Sequence, residues 1–226
     1  MSLQHSLKRG FDVCFSLLTG FFLFPVALVV SLLIYLDNPG PIFYFSTRMG
    51  QGGRKFNVYK FRTMVVEAEN MGPPITHRQD PRVTRVGRIL RRTKFDELPQ
   101  ILNVLKGEMS IVGPRPELPK YVALFPEAYE ELLTVKPGLT SIAQILHRDE
   151  ENLLPHEGTE KYYITRVLPR KIALDLYYVR HWSLALDLWV FFLGLLSLFR
   201  IPVPSALWPV RKERDLSGES GEAKGC

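Results

Sequence analysis

The chain has 226 residues, 46% of them apolar, with 29 Lys plus Arg against 23 Asp plus Glu and a formal net charge of +6. That length can bury a core as one domain or two small ones, and the composition excludes collagen, a disulfide scaffold and a disordered chain. The two cysteines, Cys14 inside an apolar run and Cys226 at the end, argue against a structural disulfide, exclude a Cys-based metal site and make a reducing compartment the default.

The charge is unevenly placed. Arg48 to Lys94 holds twelve basic residues and three acidic ones, and the rest of the chain is net negative. Such an excess predicts an anionic partner: nucleic acid, anionic lipid headgroups or a phosphate-bearing substrate.

From Val13 to Leu36 no residue is charged. A continuous helix over this stretch is roughly 36 Å long, enough to cross a bilayer. It is too long for a signal-peptide h-region and no small-x-small pattern precedes Asp37. Lys8 and Arg9 flank it on one side and Arg48, Arg54 and Lys55 follow on the other, so positive-inside logic wants both flanks in the cytoplasm. A hairpin broken at Pro25, entering and leaving one leaflet, satisfies both flanks. A single-pass anchor with a tolerated proline kink is the competing reading, and the residues alone leave both open.

Asp37-Asn38-Pro39-Gly40-Pro41 is a turn, and Gly50 to Gly53 is a second turn between two strand-like runs, Ile42 to Ser46 and Lys55 to Met64. A β-hairpin follows, with Lys60 and Arg62 on one face and Tyr59 and Phe61 on the other. The two cations suit phosphate, or equally a solvated strand face. Asp80-Pro81 reads as an N-cap and first helical position of a helix through Thr93, with Val86, Ile89 and Leu90 as its apolar stripe and Arg85, Arg88 and Arg92 alongside. A further helix starts near Asp96 and ends before Lys106-Gly107, which sets Asp96 and Glu97 at a helix start directly after an arginine cluster. Taken alone, capping and dipole roles explain both carboxylates, and Thr93 with Asp96 fits a capping box.

Met109 to Val112 is a short strand running into Gly113-Pro114-Arg115-Pro116, where two prolines hold one guanidinium on an extended backbone. Glu127 to Thr134 is helical, Pro137-Gly138 is a turn, Gln144 follows in an apolar stretch that does not disclose its purpose, and Lys161 to Tyr178 is a helix interrupted at Pro169. Leu188 to Phe199 is apolar but too short to span, and reads as a core or interfacial helix with Trp182, Trp189 and Trp208 near its ends. The five histidines show no metal-ligand spacing, no Walker or GxGxxG loop occurs, and the polar end from Arg211 reads as disordered.

Taken together these residues resemble the bacterial sugar transferases, the monotopic phosphoglycosyl transferases that act on polyprenyl phosphate. The resemblance rests on Lys8-Arg9-x-x-Asp12, the proline-broken apolar segment, Arg48-x-Gly50, Tyr59-Lys60-Phe61-Arg62-Thr63-Met64 and Asp96-Glu97-Leu98-Pro99-Gln100. It continues through Asn103 to Gly107, Met109 to Pro116, Pro137-Gly138-Leu139-Thr140 and Asp175-x-Tyr177-Tyr178-Val179, covering residues 8 to 190. Ser46 and Ser141-Ile142 depart from the common pattern, which puts substrate details in doubt without touching the Asp-Glu pair.

The resemblance implies an α+β, mostly helical fold: residues 1–38 as a re-entrant membrane helix, 39–200 as a small cytosolic catalytic domain with a short β-hairpin and interfacial amphipathic helices, and 201–226 as a tail. It implies an enzyme on the cytoplasmic face of the bacterial inner membrane that moves a sugar 1-phosphate from a UDP-sugar to polyprenyl phosphate and releases UMP, at the start of surface polysaccharide or glycoconjugate assembly. By the same carry-over Asp96 is the nucleophile that forms a phosphosugar ester, Glu97 is its partner, and the pair holds Mg2+. Lys60, Arg62 and Arg88 are assigned to phosphates, and Arg115 with Pro114 and Pro116 to the nucleotide side. The implied partners are the UDP-sugar, the polyprenyl phosphate and membrane lipids; no nucleic acid is expected, and homo-oligomerisation is left open. A non-catalytic lipid-binding scaffold is the alternative, and it gives no reason for two carboxylates beside an arginine cluster.

Overall fold

The computed structural model describes residues 3–77, 79–148, 154–155 and 157–201. The polar tail, Trp208, His156 and Arg78 lie outside the described residues. The chain is mostly helical, with a two-stranded antiparallel sheet and a two-stranded parallel one.

The apolar segment forms one helix, α1 (Leu3–Asp37), with Pro25 inside it. The residues alone leave open a hairpin broken at Pro25 and a helix that tolerates it; α1 is continuous through Pro25. A proline removes one N–H donor, and the bonded turns on either side carry the backbone across it. By length and composition α1 can cross a membrane. One stripe of it lies against the rest of the molecule, burying Asp12, Ser16, Val30 and Ile34. Its opposite face exposes Leu17, Leu18, Phe21, Phe22, Phe24, Leu28, Val29 and Leu32. Both polar ends are tied to that same body. Lys8 Nζ donates to the Val112 carbonyl at 3.0 Å and to Asp187 at 2.6 Å, and Arg9 donates to the Val104 and Leu105 carbonyls. At the far end the Asp37 carboxylate accepts from the Val86 N–H at 2.9 Å.

The hairpin is β1 (Phe43–Met49) and β2 (Lys55–Phe61), paired antiparallel from Phe43 opposite Phe61 to Met49 opposite Lys55. Its turn uses Gly52 and Gly53 at φ +68 and +71, a region that disfavours any side chain. Phe61 is buried with Val30, Ile34 and Leu90, so the hairpin clamps the second half of α1.

The next helix, α2 (Arg85–Thr93), starts later than the sequence suggests, because Thr84 is its cap and accepts from the Gly87 N–H at 2.9 Å. Asp80 instead binds the backbone N–H and guanidinium of Arg82. Ile89, expected in the apolar stripe, is 63% exposed, whereas Leu90 is buried. The expected capping box also fails, since the Thr93 hydroxyl donates back to the Ile89 and Leu90 carbonyls. A 3-10 segment, Phe95–Gln100, leads into α3 (Ile101–Lys106), and Gly107 in the left-handed region ends it.

Strand β3 (Ser110–Val112) is followed by α4 (Pro119–Val122) and α5 (Pro126–Leu132), and then by β4 (Gly138–Thr140), which pairs parallel with β3. The Pro137-Gly138 turn therefore opens a strand that the sequence does not announce. Short α6 (Ile142–Leu146) and α7 (Thr159–Tyr162) come next. A single π-helical turn, Tyr163–Val167, then precedes α8 (Leu168–Arg180). The wider turn places Pro169 in the first turn of α8, where its missing donor costs nothing. The last helix, α9 (Leu184–Leu198), buries Val190 and Leu193 in the main core with Val104, Ile111 and Ile142.

Gly138 marks the tightest approach of the parallel pair. A Cβ there would sit 2.1 Å from the Gly113 nitrogen, and neither backbone can yield. Gly138→Ala is expected to destabilise the protein by about 3 kcal/mol, read as a lowered melting midpoint in detergent.

Candidate active site

Lys94 ends α2 in the left-handed conformation, at φ 62, with its N–H bonded back to Leu90 and Arg91 carbonyls. The chain thereby turns at once into the 3-10 segment and points Asp96 and Glu97 inward, where they are buried at 8% and 6% exposure. Three separate parts of the sequence meet Glu97. Lys60 Nζ from β2 donates to Oε1 at 2.9 Å, Arg115 from the loop after β3 donates to the same oxygen at 2.8 Å, and Gln144 from α6 donates to Oε2 at 3.2 Å.

The supports of those donors are themselves fixed. Asn103, fully buried on α3, accepts from the Tyr59 N–H and donates to the Asn57 carbonyl, which sets the register of β2 and hence of Lys60 against the 3-10 segment. Arg115 sits between two buried prolines. Its N–H donates to Asp175 at 3.2 Å, and two residues on Glu117 accepts from Arg48 at 3.0 Å and from the Tyr163 hydroxyl at 2.7 Å.

The two carboxylates are driven apart electrically. Burial raises Asp96 above the ordinary aspartate range and the neighbouring Glu97 charge adds to this, against Lys60, Lys94 and Arg91. Burial alone would raise Glu97 too, but the Arg115 and Lys60 cations outweigh it and hold Glu97 well below the usual carboxylate range. Burial correspondingly lowers Lys60 while Glu97 opposes the shift. The site thus pairs a carboxylate that stays ionised with one that retains its proton more readily.

Among the described residues no three or more His, Cys, Asp or Glu side chains cluster as a metal cage. The donor set instead fits a magnesium ion shared with phosphates, which takes one or two carboxylates and leaves other positions to water and substrate. Among the described residues Asp96 Oδ1 is buried without a hydrogen-bond partner, so it is the oxygen open to such an ion, whereas Glu97 already accepts three bonds.

The residues expected at the site divide. Lys60, Asp96, Glu97 and Arg115, with Pro114 and Pro116 as its brackets, come together. Arg62 does not join them: β2 ends at Phe61, and the Arg62 guanidinium donates to the Asn38 carbonyl, bracing the turn that follows α1. Arg88 is exposed on α2 and, among the described residues, makes no hydrogen bond or ion pair with either carboxylate. The α2 arginine whose charge reaches Asp96 is Arg91, held by the Thr63 and Thr76 hydroxyls. Nothing local to Gln144, Asn103 or Asp175 marks a role at the site; their signal lies in long-range contacts that spacing along the chain does not reveal.

The family model for bacterial sugar transferases matches residues 3–200. The chain is 43% identical over 196 residues to the undecaprenyl-phosphate glucose phosphotransferase of Komagataeibacter xylinus, covering 83% of this chain and 35% of the relative. It is 37% identical over 192 residues to the UDP-N-acetylgalactosamine-undecaprenyl-phosphate N-acetylgalactosaminephosphotransferase of Aeromonas hydrophila, covering 82% and 42%. It is 40% identical over 194 residues to the exopolysaccharide production protein PSS of Rhizobium leguminosarum bv. phaseoli, covering 82% and 92%. The chain therefore spans less than half of the first two relatives and most of the third.

Two outcomes test the electrostatics. Burial pushes Asp175 up to about 7 against Arg115 and Lys171, so the folded state holds a proton that the unfolded chain releases near its ordinary 3.8. Stability is therefore expected to fall as pH rises from about 4 to 7, by up to about 1.4 kcal/mol per unit, and Asp175→Asn is expected to flatten that slope in denaturant titrations. Glu97→Gln strands two cations whose side chains are 20% and 26% exposed, and is expected to cost about 2–3 kcal/mol by the same measurement.

Proposed function

We propose that this chain, which belongs to the bacterial sugar transferase family, moves a sugar 1-phosphate from a UDP-sugar to undecaprenyl phosphate or a similar polyprenyl phosphate and releases UMP. The observation that carries this reading is the buried pair itself: a carboxylate with an unpartnered oxygen, Asp96, beside one saturated by Lys60, Arg115 and Gln144. Relatives named for glucose and for N-acetylgalactosamine donors support the reaction class.

In this reading transfer runs as two displacements. An Asp96 oxygen attacks the phosphorus that carries the sugar, a P–O bond forms to the carboxylate, and the bond to the bridging oxygen breaks so that UMP departs with that oxygen. A phosphate oxygen of the lipid acceptor then attacks the same phosphorus, which frees Asp96 and leaves the sugar on a polyprenyl diphosphate. Splitting the reaction lets a soluble donor and a lipid acceptor use one site in turn. Asp96 is the residue that would hold Mg2+, which would supply the positive charge that lets a carboxylate approach a diphosphate. Glu97 keeps Lys60 and Arg115 fixed in place, so their donors are already aimed when phosphate arrives.

The membrane topology belongs to the same proposal. Both polar ends of α1 are bonded to the catalytic body, while the face away from it is apolar from Leu17 to Leu32. A helix held at both ends on one side enters and leaves a single leaflet, here that of the cytoplasmic face of the bacterial inner membrane, and sets the site at headgroup level where an acceptor phosphate lies. The exposed arginines of α2, Arg85, Arg88 and Arg92, suit anionic headgroups there.

The test is UMP release from UDP-glucose and UDP-N-acetylhexosamines by detergent-solubilised protein with undecaprenyl phosphate. Wild type is expected to turn over only with Mg2+, and Asp96→Asn to lose at least about a thousandfold in rate while keeping its fold. Turnover by Asp96→Asn near the wild-type rate would exclude the covalent route.

A further inference from the structure

Among the described residues Gln144 is the one donor to Glu97 that carries no charge, and its amide oxygen has no hydrogen-bond partner. It projects from α6, whose Ile142, Ala143 and Ile145 are buried in the core, and the Ser141 hydroxyl accepts from its N–H at 3.0 Å. The backbone beneath it is therefore fixed. Its Nε2 donates to Glu97 Oε2 at 3.2 Å. The amide cannot turn over, because Glu97 accepts from Lys60 and Arg115 as an anion, and a flip would set amide oxygen against carboxylate oxygen. Oε1 consequently faces away from Glu97, buried and without a donor among the described residues. A buried acceptor left unpaired beside a reacting centre is satisfied by water or by a ligand that displaces it.

We propose that Gln144 Oε1 accepts a hydrogen bond from an O–H or N–H group of the sugar nucleotide, so that this residue reads the donor substrate while its Nε2 positions Glu97. The proposal rests on the transferase reading. Phosphate oxygens have no proton to give at neutral pH, so the group that fits is a sugar hydroxyl or acetamido N–H, or a hydroxyl or imide N–H of uridine. A site built to accept such a bond discriminates against analogues that lack the donor.

The experiment compares wild type, Gln144→Met and Gln144→Glu in detergent, measuring KM for the UDP-sugar, kcat, inhibition by UMP and the Mg2+ concentration for half-maximal rate. Gln144→Met keeps the length of the side chain but removes the acceptor, and KM is expected to rise about tenfold. Gln144→Glu sets a second carboxylate against Glu97, so kcat is expected to fall further than in Gln144→Met. If UMP inhibition weakens with the rise in KM, the bond comes from the uridine half; if it does not, from the sugar. An unchanged KM in Gln144→Met with a lowered kcat overturns the proposal. So does a tenfold shift in Mg2+ requirement at constant KM, which would give Oε1 to the metal. Should Gln144→Met not fold, Gln144→Ala reads the same loss. Wild type inactive with every UDP-sugar would overturn the transferase reading and this inference with it, which separates the two failures.

Discussion

The burial of one carboxylate, Glu97, between two cations organises this molecule. Lys60 comes from the second strand of the hairpin, Arg115 from a loop more than fifty residues later, and both end on the same oxygen. An isolated charge cannot be buried at such depth, so the three segments hold together or none does. The hairpin must keep its register on α3, which is the work of Asn103, and the proline-bracketed loop must keep its height on β3, which is the work of Asp175 and Glu117. What the cluster leaves over is a net positive surplus beside Asp96, in a chain segment already rich in arginine. That charge suits the anionic substrate proposed for the site.

The same logic of fixed ends governs α1. Its apolar residues give it length and its charged residues give it position. Lys8 reaches a polar cluster of Asp187, Tyr178 and Trp182, while Asp12 accepts from the Ser110 hydroxyl and the Ile111 N–H of β3. The strand that leads to Arg115 is thus tied directly to the helix, and the helix is tied again at Asp37 to the start of α2. The apolar face of α1 and the buried carboxylate site are two sides of one connected arrangement. A shift of α1 would be felt at β3 and α2 before it reached the periphery.

Local signals in the chain were sufficient for much of this. The long uncharged run, the glycine turn between two β-branched and aromatic runs, the helix stop at Gly107 and the proline-arginine-proline loop each have a local cause that a reader of the sequence can name. Errors arose where local chemistry offered two partners. Asp80 could cap a helix or bind Arg82, and the guanidinium two residues away won. At Pro25, where the residues left a break and a tolerated proline both open, α1 runs on as one helix. Pro169 could interrupt one, and a π-helical turn absorbed it.

The sequence by itself determined the charge imbalance, the placing of Asp96 and Glu97 at the start of a helical segment, and the stiffness of the loop that presents Arg115. These follow from residue type and short spacing, which act over a few bonds. Only the tertiary structure decided which cations reach the carboxylates: Lys60 and Arg115 to Glu97, Arg62 away to the Asn38 carbonyl, and Gln144 into a role its apolar neighbours conceal. The reason is physical. A long flexible cation at the surface can take several partners, and its choice is set by where the packing of distant segments buries the nearest unpaired oxygen.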